Sequence, residues 1–120
     1  MRHYIDQGCF ERLKAYARNL SIYYHSPVYI VGSAIRSSGY RDVDVIVVMP
    51  EKYFEARYGS IEDFKKGYVS GYGIVSETWK RDCEKNWYRM ATATGLNIDF
   101  KIMPAGLFHT KEPAIRIDTI

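Results

Sequence analysis

The sequence predicts an α+β fold, a small mixed β-sheet with helices packed on one of its faces. Two long stretches repeat apolar residues every three or four positions, and three short runs are rich in β-branched residues. In two of those runs acids alternate with apolar side chains, so one sheet face meets a core and the other carries charge.

Phe10, Leu13, Ala17 and Leu20 recur at helical spacing with Glu11, Arg12, Lys14 and Arg18 between them, which predicts an amphipathic helix over residues 6–24, closed off before Pro27. Val28 to Val31 reads as a short buried strand that ends at Gly32. A polar stretch to Gly39 leads into a second strand, Arg41 to Met49, stopped by Pro50. Residues 50–75 hold Gly59, Gly67, Gly71 and Gly73 and read as a mobile insertion, with one short helix starting at Ser60. A second clear helix covers residues 76–94, placing Trp79, Cys83, Trp87, Met90 and Thr94 on one stripe read as core, with Gly95 as its stop. The third strand is 96–103, ended by Pro104, and the tail 104–120 shows no regular pattern.

With 120 residues, 47% of them hydrophobic, the chain suffices for one domain, 1–120, around a single core. Its 17 basic against 14 acidic residues give +3, too mild a charge to argue for nucleic-acid binding. Cys9 and Cys83 lack the paired spacing of a zinc site, which predicts reduced thiols. No signal peptide or apolar run of about 20 residues is visible, so the expectation is a cytoplasmic protein without a membrane partner. His3, His25 and His109 form no ligand spacing.

Asp42 and Asp44, two apart in Tyr40-Arg41-Asp42-Val43-Asp44-Val45, carry the most chemistry. Strand residues i and i+2 share a face about 6.5 Å apart, so both carboxylates can lean toward one divalent ion. Asp99 sits in a similar setting, Leu96-Asn97-Ile98-Asp99-Phe100-Lys101-Ile102. Three acids gathered on one sheet edge repel one another, and bound cations would relieve them. Taken alone, an Asp-x-Asp is ordinarily a solvated strand end and Gly-Ser a turn. Their order along the chain is what gives them weight.

That order, Tyr29-Ile30-Val31-Gly32-Ser33, then Asp42-Val43-Asp44-Val45, then Ile98-Asp99-Phe100, resembles the polymerase β-like nucleotidyltransferases in their minimal single-domain form. The resemblance spans residues 28–103, with eight residues between Ser33 and Asp42 against about ten in the family signature. It implies the nucleotidyltransferase fold and transfer of a nucleoside monophosphate from a nucleoside triphosphate, ATP first, to an acceptor hydroxyl. It further implies two Mg²⁺ ions, with Mn²⁺ as a substitute, held by Asp42, Asp44 and Asp99, and Asp99 on the acceptor side taking the proton. Gly32 and Ser33 would meet the β- and γ-phosphates, and Arg36 and Lys101 would neutralise phosphate charge. The bland alternative for Arg36, Arg41 and Lys101 is solvation or pairing with nearby acids. The acceptor, whether protein, RNA or small molecule, is not identified by these residues, and minimal family members often act beside a small helical partner protein. Tyr53, Tyr58, Tyr68 and Tyr72 crowd the insertion and are candidates either for base stacking or for packing. The contrasting expectation is a catalytically silent module of the same fold that binds a nucleotide or a partner protein. A metal-dependent nuclease would use the same acids but leaves Gly32-Ser33 without a role.

Overall fold

A computed structural model describes residues 3–69, 76–108 and 114–119, apart from the Val69 side chain. Helix α1 runs Gln7–Tyr24, and its register follows from Phe10, Leu13, Ala17, Leu20 and Tyr24, all buried. The Asp6 side chain caps its first turn by accepting from Cys9 N–H at 3.1 Å, and His25 at φ 52° ends it. Strand β1, Val28–Val31, leads through Gly32 into the single-turn helix α2, Ser33–Arg36. Strand β2 is Val43–Met49. Helices α3, Glu51–Tyr58, and α4, Ile61–Val69, follow. Helix α5, Glu77–Thr94, is capped by Ser76 and ended by Gly95 in the left-handed region. Strand β3, Ile98–Pro104, a 3₁₀ turn at Ala105–Leu107 and strand β4, Ile115–Arg116, complete the order.

The sheet has strand order β3-β2-β1-β4. β2 is antiparallel to β1 and parallel to β3, and β4 runs antiparallel along the other side of β1. This is the predicted small mixed sheet of an α+β protein, with four strands among the described residues. Val28, Ile30, Val43, Val45, Val47, Ile98, Phe100 and Ile102 are all buried and form its helix-side face. That face joins Leu13, Ala17, Leu20, Phe54, Phe64, Trp79 and Met90 in one contiguous core.

Two expectations are corrected. Residues 50–75 are not a mobile insertion as far as they are described: α3 and α4 fill 51–69, with Phe54, Tyr58 and Phe64 buried in the core. The four glycines hid this. Gly59 ends α3 at φ 95°, while Gly67 is accommodated inside α4. Gly71, Gly73 and Tyr72 lie outside the described residues. The tail also contributes structure, because β4 pairs Arg116 with Tyr29 and Ile115 with Ile30. Asp118 fixes its end by accepting from Val28 N–H at 2.9 Å, from the Arg116 guanidinium and from the Ser21 side chain. Two residues are too few to show alternation, so no pattern betrayed this strand.

Helices α1, α3 and α5 are tied together by a polar cluster behind the sheet. Tyr58 Oη donates to Asp82 Oδ2 at 2.8 Å, Arg57 Nε donates to the same oxygen at 3.2 Å, and Arg57 Nη2 donates to Tyr23 Oη at 2.8 Å. Asn86 Nδ2 donates to Tyr24 Oη at 3.0 Å. Asp82 is buried, so removing its carboxylate takes away the acceptor of the Tyr58 hydroxyl and leaves Arg57 without its charge partner. Asp82→Ala is therefore expected to lower stability by about 2–3 kcal/mol, reduced from the fully buried case because Arg57 keeps some solvent. Urea unfolding checks it, and a loss under about 0.5 kcal/mol, the range of an ordinary surface substitution, would contradict it.

Candidate metal centre

The parallel register of β2 and β3 sets Asp44 directly beside Asp99, and the antiparallel register of β1 and β2 sets Asp44 beside Val31, the residue before Gly32. The Gly32 turn, Asp44 and Asp99 thus form one row across three adjacent strands, roughly 4.8 Å apart from strand to strand. Asp42 lies one residue before β2, not within the strand as the sequence suggested. It still joins the row: one oxygen from each of Asp42, Asp44 and Asp99 lies within 4.8 Å of the others.

Asn97 holds Asp42 in place, its Nδ2 donating to Asp42 Oδ1 at 2.6 Å and to the Arg41 carbonyl at 3.2 Å. The sequence reading passed over Asn97, although its position two before Asp99 puts it on the same face by strand alternation. Lys101, on that face too, donates to Asp99 Oδ1 at 3.2 Å. Its nearest charge is thus an acid, the pairing named as the bland alternative. Arg36, at the end of α2, lies near enough to favour the ionised form of Asp44.

Asp44 is the half-buried member of the three. Burial pushes its carboxyl above the ordinary value of 3.8, the neighbouring Asp99 and Asp42 charges push the same way, and Arg36 and Lys101 oppose them. Gly32, at φ 81°, turns the chain over this carboxylate so closely that a Cβ there would collide with Asp44 Oδ2. Ser33 follows at the first position of α2. The sequence-predicted residues Gly32, Asp42, Asp44 and Asp99 therefore meet, with Ser33, Arg36 and Lys101 at their margin.

Beyond Asp99 the row opens into a groove of about 720 Å³, lined by Asp42, Ile98, Asp99, Phe100 and Lys101 from the sheet side and Tyr68, Trp79, Lys80, Cys83, Glu84 and Trp87 from the helices. Trp79 is core, but Trp87, expected on the same buried stripe, is 43% exposed and forms groove wall. The helical period explains the misassignment, since Asp82 and Asn86 rather than Trp87 continue the buried face. Tyr68 lies at this groove and stacks on Phe64 with centroids 5.3 Å apart, whereas Tyr58 belongs to the Asp82 cluster and Tyr53 lines a separate pocket with Tyr23 and Arg57. Burial pushes the Cys83 thiol up to about 12, so it is an inert wall group at neutral pH. His3 stacks on Phe10 and His25 caps α1, so neither is a ligand, and His109 lies outside the described residues.

Three convergent carboxylates, one half-buried, suit a hard divalent cation that takes oxygen ligands. No helix among the described residues is long and apolar enough to cross a membrane. No protein-family model, curated protein or solved structure matches the chain.

Because Asp44 binds its proton more tightly in the folded than in the unfolded chain, the folded state carries more protons between pH 3.8 and the raised value. The Asp44 contribution to metal-free stability therefore falls as pH rises through that window and recovers as pH drops into it. Asp6 and Asp118, whose carboxyls are held below the ordinary value, act in the opposite sense, so the comparison must be parent against Asp44→Asn. In chelator at neutral pH, Asp44→Asn is expected to be more stable by on the order of 1 kcal/mol, about 4 °C in Tm, and to lose the response to millimolar Mg²⁺. A variant less stable than the parent, with an equal Mg²⁺ response, would contradict the convergent-charge account. Gly32→Ala is expected to cost about 1–3 kcal/mol from positive φ and the clash with Asp44. An unchanged thermal melt would exclude that strain.

Proposed function

We propose that the protein is a Mg²⁺-dependent nucleotidyltransferase of the polymerase β-like type, moving a nucleoside monophosphate from a nucleoside triphosphate to a hydroxyl. The observation that carries this is the row across the sheet: a glycine turn with Ser33, then Asp44 with Asp42, then Asp99, then an open groove. Its two ends differ chemically, as leaving group and acceptor must.

At the Gly32 end the positive-φ turn lays the chain against the Asp44 carboxylate, and Ser33, the next residue, would offer its N–H and hydroxyl to phosphate oxygens. Arg36 adds positive charge on that side. Asp42, Asp44 and Asp99 are the residues that would hold Mg²⁺, and Mn²⁺ in its place. Held by these carboxylates, Mg²⁺ would supply positive charge to offset that of the phosphates during an in-line displacement. Asn97 keeps Asp42 aimed inward. Asp99 stands on the groove side, where its carboxylate can accept the proton of the attacking hydroxyl. The hydroxyl oxygen forms the new bond to the α-phosphorus as the α–β bridging bond breaks, and pyrophosphate leaves with that electron pair. ATP is the first nucleotide to test. The three carboxylates favour this reading over a silent module, since repelling acids beside a half-buried Asp44 cost stability and a module that only docks has no need of them.

The direct test incubates the protein with each α-labelled nucleoside triphosphate, Mg²⁺ and cell lysate, then asks whether label ends on protein, RNA or a small molecule. Label is expected on one class, and Asp42→Asn or Asp44→Asn is expected to lower transfer more than 100-fold with the fold intact. Transfer within threefold of the parent would remove these acids from the chemistry. Asp99→Asn is expected to abolish transfer while changing ATP affinity less, and equal losses in calorimetry and kinetics would remove Asp99 from the acceptor side.

A further inference from the structure

The net charge of +3 conceals an uneven distribution, and part of the basic excess gathers on the helix layer. Helical spacing puts Glu84 and Trp87 on the flank of α5 that faces the acid row, and Lys85 and Arg89 on the opposite flank, beside α1. There α1 and α5 leave a hollow of about 330 Å³ lined by Tyr16, Asn19, Tyr23, Lys85 and Arg89. A second hollow of the same volume shares Tyr23 and Tyr24 with it and is walled by Tyr53 and Arg57. Among the described residues no acid lines either one. Lys85 and Arg89 form no ion pair among the described residues. Arg57 gives Nε to the buried Asp82 and Nη2 to Tyr23, which leaves its Nη1 without a partner among the described residues. Its guanidinium lies 4.9 Å from the centre of the Tyr23 ring, and Lys52 Nζ lies 5.1 Å from that of Tyr53. Each cation covers one face of its ring, yet Tyr23 is 58% and Tyr53 45% exposed, so both rings keep open surface for a planar group.

We propose that these joined hollows bind a single-stranded nucleic acid, its phosphates on Arg57, Lys85 and Arg89 and its bases against Tyr23 and Tyr53. The site is separate from the candidate metal centre and does not depend on the transferase reading. Met49, which lines the second hollow, lies about 17 Å along β2 from Asp44. Single strands are held by a positive groove that follows the backbone and by rings on which bases stack. Both parts are present. Lys85 and Arg89 are about 6 Å apart along α5, close to the spacing of successive phosphates in an extended strand. The floor between them and α1 is fixed, because Tyr16 Oη donates to Asn86 Oδ1 at 3.3 Å and Asn86 Nδ2 donates to Tyr24 Oη at 3.0 Å. Arg57 is held in the same way by Asp82 and Tyr23, so little side-chain order remains to be imposed on binding. A duplex keeps its bases stacked inside and offers none to these rings, which selects single strands. An acidic peptide would answer the cations but leave the ring faces without planar partners.

The test follows the anisotropy of a fluorescein-labelled oligouridylate of about ten nucleotides, in chelator so that no metal bridges it to the acids. Three phosphate contacts predict that log K falls with log salt at a slope of about −2. Lys85→Ala and Arg89→Ala, both at exposed positions, are each expected to reduce that slope by about 0.7 and to weaken binding at low salt. Lys65→Ala, which removes an exposed cation of α4 outside the two hollows, is expected to change neither. Tyr23→Ala is expected to cost about tenfold in affinity, and Tyr23→Phe, which keeps the ring, to restore it. Thermal melts of the Lys85 and Arg89 variants are expected within about 3 °C of the parent, so that lost binding is not lost fold. Equal affinity for oligothymidylate assigns the site to single strands of either sugar, and tighter binding of the oligouridylate assigns it to RNA. Tighter binding of a duplex would overturn the single-strand site. Displacement by polyglutamate as readily as by unlabelled oligouridylate would overturn it in favour of an acidic peptide. No binding at about 50 mM salt, or a slope unchanged in both the Lys85 and Arg89 variants, would overturn it outright.

Discussion

Everything at the candidate centre hangs on the pairing register of β2 against β3. Asp44 meets Asp99 because Val43 meets Ile98 and Val45 meets Phe100. Side chains alternate faces with a period of two, so a slip of one residue would bury Asp99 and Lys101 and expose Ile98, Phe100 and Ile102. The register is enforced from the other face. Val43, Val45, Val47, Ile98, Phe100 and Ile102 are each under 5% exposed, and burying such side chains stabilises by about 1.5–3 kcal/mol each as an upper estimate. Repulsion between partly solvated carboxylates about 4 Å apart is on the order of 1–4 kcal/mol. The apolar face wins, and the acids are carried into proximity by packing that has nothing to do with them.

The connection from β2 to β3 supplies that packing. A parallel pair needs a crossover, and here it is three helices long. α3 and α4 bring Phe54 and Phe64 under the sheet, and α5 returns the chain so that Trp79 and Met90 close the core. The polar cluster around Asp82 then fixes α5 against α1 and α3. One helix face thus serves two purposes: Trp79 and Cys83 cover the Ile102 end of β3, while Trp87, one or two turns further along, forms wall of the groove beside Asp99.

The asymmetry of the row across the sheet follows from the strand order. β1 lies on one side of Asp44 and ends in the Gly32 turn, which only a residue without Cβ can make against that carboxylate. β3 lies on the other side and, among the described residues, has no further strand beyond it. A centre so placed is closed by backbone on one flank and open on the other. In our reading the nucleotide occupies the first flank and the acceptor the second.

The long amphipathic helices, the three acid-bearing or apolar runs and the Gly32-Ser33 turn were legible in the sequence because each is a local pattern: helical spacing at Phe10 to Leu20, a β-branched apolar run at Val43 to Val48, alternation at Ile98 to Ile102, a Gly where φ is positive. Asp42, Asp44 and Asp99 could be named for the same reason, as acids set in apolar alternation. What lay beyond local pattern was decided by tertiary structure. α3 shows almost no amphipathic periodicity and becomes a core element only because Phe54 and Tyr58 meet α5 and the sheet. β4 is two residues long and exists because β1 offers it an edge. Trp87 has the spacing of a core residue and is left in the groove because the sheet ends at β3. Spacing along one element tells which residues share a face, while which face is covered depends on what the rest of the chain brings against it.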